Sequence, residues 1–415
     1  MRQIVSLALL LYLPFSRAMA QNMNDPYSMY GIGTIDSRPY NRTSGMGGTG
    51  QALSSSFYLV DNNPASLAGL TRSFYVIDAA GTGKLVSYAG NPITAANSNS
   101  RDFWIKRLSL AVKINNWWAS GIGIRQFSNI NYQFTGTKTE EGSGTGYAAV
   151  YQGDGGLNEY YWTHAAALGK HLSFGLKTSI LAGAINQTET IADDGLQASI
   201  VTRQQDYMGQ LHVKAGLIYT GRLSKKADWS FGASYAPRTR MLSERTLTVT
   251  ENSTTIVSSS FLENNFFTLP DRVALGLSAR FNNRSLFALD YSFDNWSALH
   301  LTQRSAVLVN SNRISAGADF SQIKKIGNLI GEKRHFQVGA FYGNSYLRIS
   351  NMPIREYGFT TGMGGVLNAA LMYNLALETG IRGTVQNNLI RENYIQLTIG
   401  LTFRDFLYSK GRKYD

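Results

Sequence analysis

From about residue 72 onward the apolar residues recur with a period of two, the signature of strands whose two faces meet different surroundings. Ile395, Leu397, Ile399, Leu401 and Phe403 fall on one face of the last such segment, and Gln396, Thr398, Gly400 and Thr402 on the other. The same division separates Phe287, Leu289 and Tyr291 from Asp290 and Asp294, and Leu371, Tyr373, Leu375 and Leu377 from Asn374, Glu378 and Arg382. Along the chain one face stays apolar. The other carries ionised groups: Lys177, Lys214, Arg280, Asp290, Asp294, Arg313, Asp319, Glu378 and Arg382. Most segments run ~10 residues or longer, against a globular mode of about 5–6. This pattern predicts a transmembrane β-barrel with lipid outside and a polar lumen. A long soluble sandwich is the competing architecture.

Fourteen strands are predicted, near 73–88, 104–115, 117–134, 159–169, 172–186, 205–220, 229–240, 266–281, 286–295, 306–320, 335–343, 357–366, 369–382 and 393–403. An even number suits a single-chain bacterial barrel, and the linkers alternate short and long, as periplasmic turns and external loops do. The long linkers lie near 89–103, 135–158, 187–204, 241–265 and 344–356, while 321–334 stands out as a long periplasmic turn. Only 16% of residues are charged and mean hydropathy is −0.17. No apolar run approaches the ~20 residues of a spanning helix. Cysteine is absent, which excludes disulfides and thiolate metal sites.

Residues 1–20 read as a signal peptide: Arg2, an apolar stretch Ile4–Phe15, and the small-x-small site Ala18-Met19-Ala20. Cleavage near Ala20 directs the chain to the Gram-negative outer membrane and away from nucleic acid. Residues 71–415 form the barrel. Residues 21–70 do not alternate and are rich in Gly, Asn, Ser and Pro, with a weak helical stretch near Gln51–Tyr58. They are placed to fold into the lumen as a hatch, with a disordered periplasmic arm as the alternative.

Specific strings carry a resemblance. Gly45-Met46-Gly47-Gly48-Thr49-Gly50-Gln51-Ala52-Leu53, followed by Asn63-Pro64-Ala65, resembles the hatch of FadL-type outer-membrane transport proteins, where an NPA turn precedes strand one. Leu269-Pro270-Asp271-Arg272, Leu289-Asp290-Tyr291 and Asn295-Trp296-Ser297 look like a hairpin of that family. The ending, with Arg382-Gly383-Thr384, Leu389–Tyr394 and a basic tail, resembles a subgroup that also contains the PorV-type component of type IX secretion. The resemblance implies an all-β, 14-stranded antiparallel transmembrane barrel with an N-terminal plug. It also implies a lateral opening where strand three kinks inward. Alternation loosens there at Ser128-Asn129-Ile130-Asn131, the expected kink, and Asn63-Pro64-Ala65 is the expected hatch pivot.

Other motifs carry less. Gly45-x-Gly47-x-x-Gly50 matches a dinucleotide fingerprint but lacks the βαβ context. Gly81-Thr82-Gly83-Lys84 lacks the flanking residues of a phosphate loop and reads as an irregularity of strand one. The five histidines show no metal or catalytic spacing, so neither cofactor nor enzymatic activity is expected. The lumenal charges are read as cross-strand pairs and hatch anchors, with a solute track as the sharper alternative.

Three functions remain open. The leading one is a passive, hatch-gated channel for hydrophobic or amphipathic small molecules such as long-chain fatty acids and aromatics. The second is a PorV-like accessory that binds secreted cargo at its external loops; the third is a structural barrel. Outer-membrane lipids are the expected surroundings and a monomer the expected state. The net charge of +12 concentrates at the periplasmic rim, with Lys324, Lys325, Lys333 and Arg334 prominent. Those residues suit anionic headgroups or an acidic periplasmic protein.

Overall fold

The computed structural model describes residues 25–406 apart from 73, 92, 94–97, 140–145, 194–197, 265–266, 300–301, 304–305, 327–328 and 369. The expected signal peptide and the basic tail therefore lie outside the described residues. The fold is all-β, a 14-stranded antiparallel barrel. Its strands begin with β1 (Phe74–Gly90), β2 (Asn99–Lys113), β3 (Trp118–Gln126, continued as Ser128–Thr139) and β4 (Gly146–Leu168). Next come β5 (Leu172–Asp193), β6 (Ala198–Ser224) and β7 (Ala227–Ala236, with Leu242–Glu251 above it). Then follow β8 (Thr254–Asn264, then Arg272–Phe281), β9 (Ser285–Asp294), β10 (Ser311–Ile326) and β11 (Leu329–Ile349). The last are β12 (Met352–Val366), β13 (Leu371–Gly383) and β14 (Ile390–Phe406). Seventeen consecutive residue pairs, Phe74↔Phe406 to Gly90↔Ile390, join β14 to β1 and close the ring.

The outward faces are the apolar ones, as Leu397, Leu289, Leu277 and Val338 show by their exposure. Exposed aromatics form two belts that mark the membrane boundaries. Tyr207, Tyr235, Tyr291, Tyr342 and Tyr357 lie toward the external end, and Trp117, Trp229, Phe320 and Phe406 toward the periplasmic end.

Several expectations change. Among the described residues, the segments 135–158, 187–204 and 241–265 are not loops but extensions of β3–β8 that rise above the external belt, paired up to Thr139↔Gly146, Asp193↔Ala198 and Glu251↔Thr254. The segment 344–356 is a hairpin of β11 and β12 paired up to Ile349↔Met352. Above the membrane both sheet faces meet water, so polar residues occupy both and the alternation fades. The 321–334 turn is likewise a ladder continuing to Ile326↔Leu329, and the side chains of Lys324 and Lys325 lie outside the described set.

Residues 25–72 fill the lumen. Gln51–Tyr58 is not helical; the short 3-10 turns are Pro26–Met29, Arg42–Met46 and Pro64–Gly69. Gly47 and Gly48 adopt φ of 68° and 76°, which lets the glycine-rich string reverse inside the barrel. The interior is packed: Met46, Leu53, Tyr58 and Val60 meet Leu286 and Ala288, while Tyr27 and Ile32 join a larger cluster with Ile130, Leu157 and Trp296.

Candidate functional site

The hatch is held in two different ways. Its deeper part, residues 42–70, is seated by backbone against wall. Asn63, fully buried, caps the Pro64–Gly69 turn by accepting from the Ala65 amide at 3.1 Å. It also donates to the carbonyls of Gln51 (2.9 Å), Leu217 on β6 (3.0 Å) and Ala233 on β7 (3.2 Å). This approach needs bare wall. A Cβ on Gly216 would fall on the Asn63 amide, one on Gly175 on the Pro64-Ala65 peptide, and one on Gly232 on the Gln51 carbonyl. On the far wall, Cβ atoms on Gly317 and Gly339 would meet Met46 and Gly47.

Charged wall residues read the hatch backbone as well as its side chains. Asp290 accepts from the amides of Gly50 (2.6 Å) and Gln51 (2.9 Å), so the glycine string holds a carboxylate rather than a phosphate. Lys214 donates to the Asn62 carbonyl, and Arg313 to that of Gly47 at 3.3 Å. Arg42 of the hatch pairs with Asp319 (2.8 Å) and Glu332 (2.7 Å) and lies over the Tyr58 ring. Of the nine lumenal groups singled out from the sequence, Lys214, Asp290, Arg313, Asp319, Glu378 and Arg382 touch the hatch. Lys177 pairs with Glu159 of the wall at 2.8 Å, and Asp294 with Arg272 at 3.4 Å. Arg280 is half-buried and makes no ion pair among the described residues.

The outer part of the hatch, residues 25–38, is held by charge and a short ladder. Asp25 pairs with Arg382 at 3.1 Å, Asp36 with Lys106 at 3.2 Å, and Arg38 with Glu356 and Glu378, each at 2.6 Å. Burial alone would raise the Asp25 and Asp36 carboxyls. Arg382 with Lys84, and Lys106 with Arg38, outweigh it and hold both below the usual carboxylate range. Thr34 and Ile35 pair with Asn129 and Ser128, the Asp25 amide donates to the Asn131 carbonyl, and the Asp36 amide to that of Phe127.

Ser128–Asn131 thus lie where the wall changes. β2 and β3 pair from Lys113↔Ala119 only up to Arg107↔Arg125. Above that level Asn99–Ile105 pair with β1 alone, and β3 takes the hatch as its neighbour, among the described residues. Opposite β4 the register moves from Gln126↔Asn158 to Ile130↔Gly155, so β3 carries one extra residue, at Phe127. Such a bulge reverses which side chains face inward. Ala119 and Gly121 point in below it, and Ser128, Ile130 and Tyr132 above it. β2 has its own register shift beside Gly81, leaving Lys106 bulged toward the interruption, where it bonds Gln126 at 2.6 Å. Phe103, Trp104 and Ile105 are consequently exposed in succession.

Behind the upper part of this interruption lies an apolar cavity of about 270 Å³. Tyr27 and Tyr30 of the hatch, Tyr88 of β1, and Tyr132 and Phe134 of β3 line it, and β2 contributes nothing. A second cavity of about 160 Å³ sits centrally, where, among the described residues, Arg38, Lys84, Arg272, Arg313 and Arg382 face only Asp294 and Glu356 as carboxylates. Sequence reasoning missed Arg38, Arg42, Lys106 and Phe127. The break in inward-outward parity after Arg125 is the one signal that could have located Phe127.

No curated protein sequence matches the chain. Solved structures do match over nearly their whole length at low identity. A Pseudomonas aeruginosa FadL homologue has TM-score 0.60 and 10% identity, covering 90% of this chain and 99% of its own. The Pseudomonas putida toluene transporter TodX has TM-score 0.56 and 16% identity, covering 92% and 100%. The monoaromatic hydrocarbon channel CymD has TM-score 0.52 and 15% identity, covering 91% and 99%. The FadL/TodX-like outer-membrane barrel fold follows from these likenesses. A family model described as BamG matches residues 1–415, and the chain belongs to that family.

Proposed function

We propose that the chain is a passive outer-membrane channel that exchanges hydrophobic or amphipathic small molecules, aromatics and long-chain fatty acids among them, between its lumen and the bilayer. The interruption between β2 and β3, with an apolar cavity behind it, carries this reading. Likeness to a toluene transporter and a monoaromatic hydrocarbon channel supports the ligand class. An apolar solute would occupy the tyrosine-lined cavity, and the cationic central cavity would suit the anionic head of an amphipath. Ser128–Asn131 serve as the inward kink. Asn63-Pro64-Ala65 is the fixed point, and Asp25–Asp36 is the part of the hatch that swings away. The exchange follows a concentration gradient and needs no energy source.

Deleting Phe127 tests it, since equal residue counts on β3 and β4 allow the β2–β3 ladder to extend upward. Uptake of toluene and oleate into liposomes carrying the variant is expected to fall to that of protein-free liposomes, with the barrel folded. Undiminished uptake refutes the lateral route. A PorV-like accessory role is the second reading, favoured by the high extensions of β3–β8. Native mass spectrometry of the purified chain separates the two: a lipid-sized ligand supports the channel, a bound polypeptide the accessory.

A further inference from the structure

The external end of the barrel is divided by charge. The segments 130–157, 184–206 and 242–264 hold three cations, Lys138, Arg203 and Arg245, against ten carboxylates. The segments that top the other wall, 87–101, 295–310, 344–355 and 383–391, hold no aspartate or glutamate and five arginines: Arg101, Arg304, Arg348, Arg355 and Arg391. Four of these are described, and Arg101, Arg348, Arg355 and Arg391 are each exposed. Their chain neighbours turn the other way: Ser100 beside Arg101, Leu347 and Ile349 beside Arg348, Ile354 beside Arg355 and Glu392 beside Arg391 are buried. The four arginines therefore stand on the outer face of β2, β11, β12 and β14, the face that meets lipid lower down.

Arg355 lies two residues above Tyr357 on one face, and Tyr357 pairs with Tyr342 in the external belt. Arg348 is opposite Pro353, so Arg348 and Arg355 are diagonal neighbours, roughly 7–8 Å apart. Gly383, opposite Arg391, leaves bare backbone on the strand between Arg391 and Arg355. Like charges held this close repel unless a counter-charge joins them. Other exposed cations find one in the wall: Lys138 pairs with Glu189 at 2.7 Å, and Arg238 with Asp271 at 3.8 Å. Arg101, Arg348, Arg355 and Arg391 make no ion pair among the described residues, and the segments around them contain no carboxylate to supply one. Instead, Arg348 and Arg355 border an open groove of about 700 Å³ with Ser297, Asn310 and Asn344. Arg101 borders a second, of about 800 Å³, whose other lining residues are uncharged.

We propose that this arginine arc binds the phosphates of a glycolipid headgroup in the external leaflet. Guanidinium forks take phosphate bidentately, and the tyrosine belt sets the height at which headgroups lie. Phe359, Val338 and Ile395, all exposed below the arginines, would meet the acyl chains. Arg355 and Arg391 stand two strands, or about 10 Å, apart, so a headgroup with two separated phosphates could engage both. An acidic protein fits less well, because the same face continues without a step into the lipid-facing wall. The site requires no movement of the hatch.

Native mass spectrometry of the full chain, purified in mild detergent and titrated with bisphosphorylated lipid A, tests this. The Arg348→Gln, Arg355→Gln double variant should bind the glycolipid about 30-fold more weakly than the unaltered chain. The Lys225→Gln, Lys226→Gln variant removes the same charge from an exposed periplasmic turn and should bind it undiminished. Lipid A stripped of both phosphates should fail to bind the unaltered chain, an arm that needs no variant. Unchanged affinity in the arginine variant overturns the inference, as does equal weakening in the lysine variant or equal binding without phosphates. Phosphatidylglycerol bound as tightly as lipid A would mean general attraction of anions, and displacement by millimolar inorganic phosphate a free-ion site; either overturns it. So does a polypeptide or second copy that the two arginine substitutions release. A lipid held in the tyrosine-lined cavity would ignore both substitutions, so this result stands apart from the channel reading.

Discussion

Replacing Gly216 by alanine should unseat the hatch while leaving the barrel intact. A Cβ there would fall on the Asn63 side-chain oxygen and lie 2.7 Å from Pro64 Cδ, so the hatch must withdraw. Overpacking of this kind costs ~1–3 kcal/mol. The Asn63 bonds to the Leu217 and Ala233 carbonyls also stretch, at ~0.5–1.5 kcal/mol each when lost. Allowing for partial relaxation, docking weakens by about 2–4 kcal/mol, which raises the undocked population roughly 30- to 1,000-fold. The barrel should not weaken, because alanine is better than glycine in a strand by roughly 0.5–1 kcal/mol. Gly209, on the same strand with nothing within 4 Å of its would-be Cβ, supplies the control. Amide exchange of residues 45–69 in detergent is the measurement. Faster exchange in Gly216→Ala than in Gly209→Ala is expected. Identical exchange in the two variants would mean that the hatch does not depend on bare wall, and the argument fails.

Two further predictions concern charge. Asp25 and Asp36 are both held below the usual carboxylate range, so their contribution to docking is complete above about pH 4 and is lost as pH falls through their lowered values. The protection of residues 25–36 relative to free-peptide exchange at the same pH should therefore fall only below about pH 4, and loss of protection on raising the pH instead would contradict the sign. Arg42→Met leaves Asp319 and Glu332 without their cation, although Gln337 and His335 still reach them at 2.7 Å each. Truncating one partner of a buried pair costs about 3–5 kcal/mol, and the retained contacts put this case at the lower end. Thermal scans should show the hatch released at lower temperature with β-structure unchanged.

The barrel was legible because one physical condition, lipid outside and charge inside, acts on every strand between the belts. Where that condition ends, legibility ends too. Thr246, Thr248 and Thr250 alternate with Leu247 and Val249 above the membrane, but water on both sides leaves nothing to penalise either face, so 241–265 reads as loop. Phe127 was hidden for a related reason. A bulge reverses parity, and Ser128, Asn129, Ile130 and Asn131 mix polar and apolar residues on both faces, which looks like noise unless the register of β4 is known. Hatch anchors such as Arg42 meet partners 277 and 290 residues away, and no local pattern encodes a contact at that separation. The wall glycines are invisible one by one, because glycine in a strand is equally compatible with a bend, a bulge or a close approach.

The two ways of holding the hatch also divide what it can do. Residues 42–70 are fixed chiefly by shape: Asn63, Pro64 and Gln51 sit against glycines on neighbouring strands, and an alternative position would have to find the same bare wall. Residues 25–38 add ion pairs and two ladder pairings to the packing of Tyr27 and Ile32 and the close approach of Gly33 to the Asn129 backbone, so charge carries a larger share of their hold. A shape-held element stays until the barrel deforms, whereas a charge-held one yields to protons, salt or a competing anion. It is the charge-held part that lies beside the β2–β3 interruption and lines the apolar cavity. A gate built this way opens by releasing about a dozen residues rather than expelling a plug. Acid should therefore free residues 25–36 while Gly216→Ala frees residues 45–69, and neither perturbation should mimic the other.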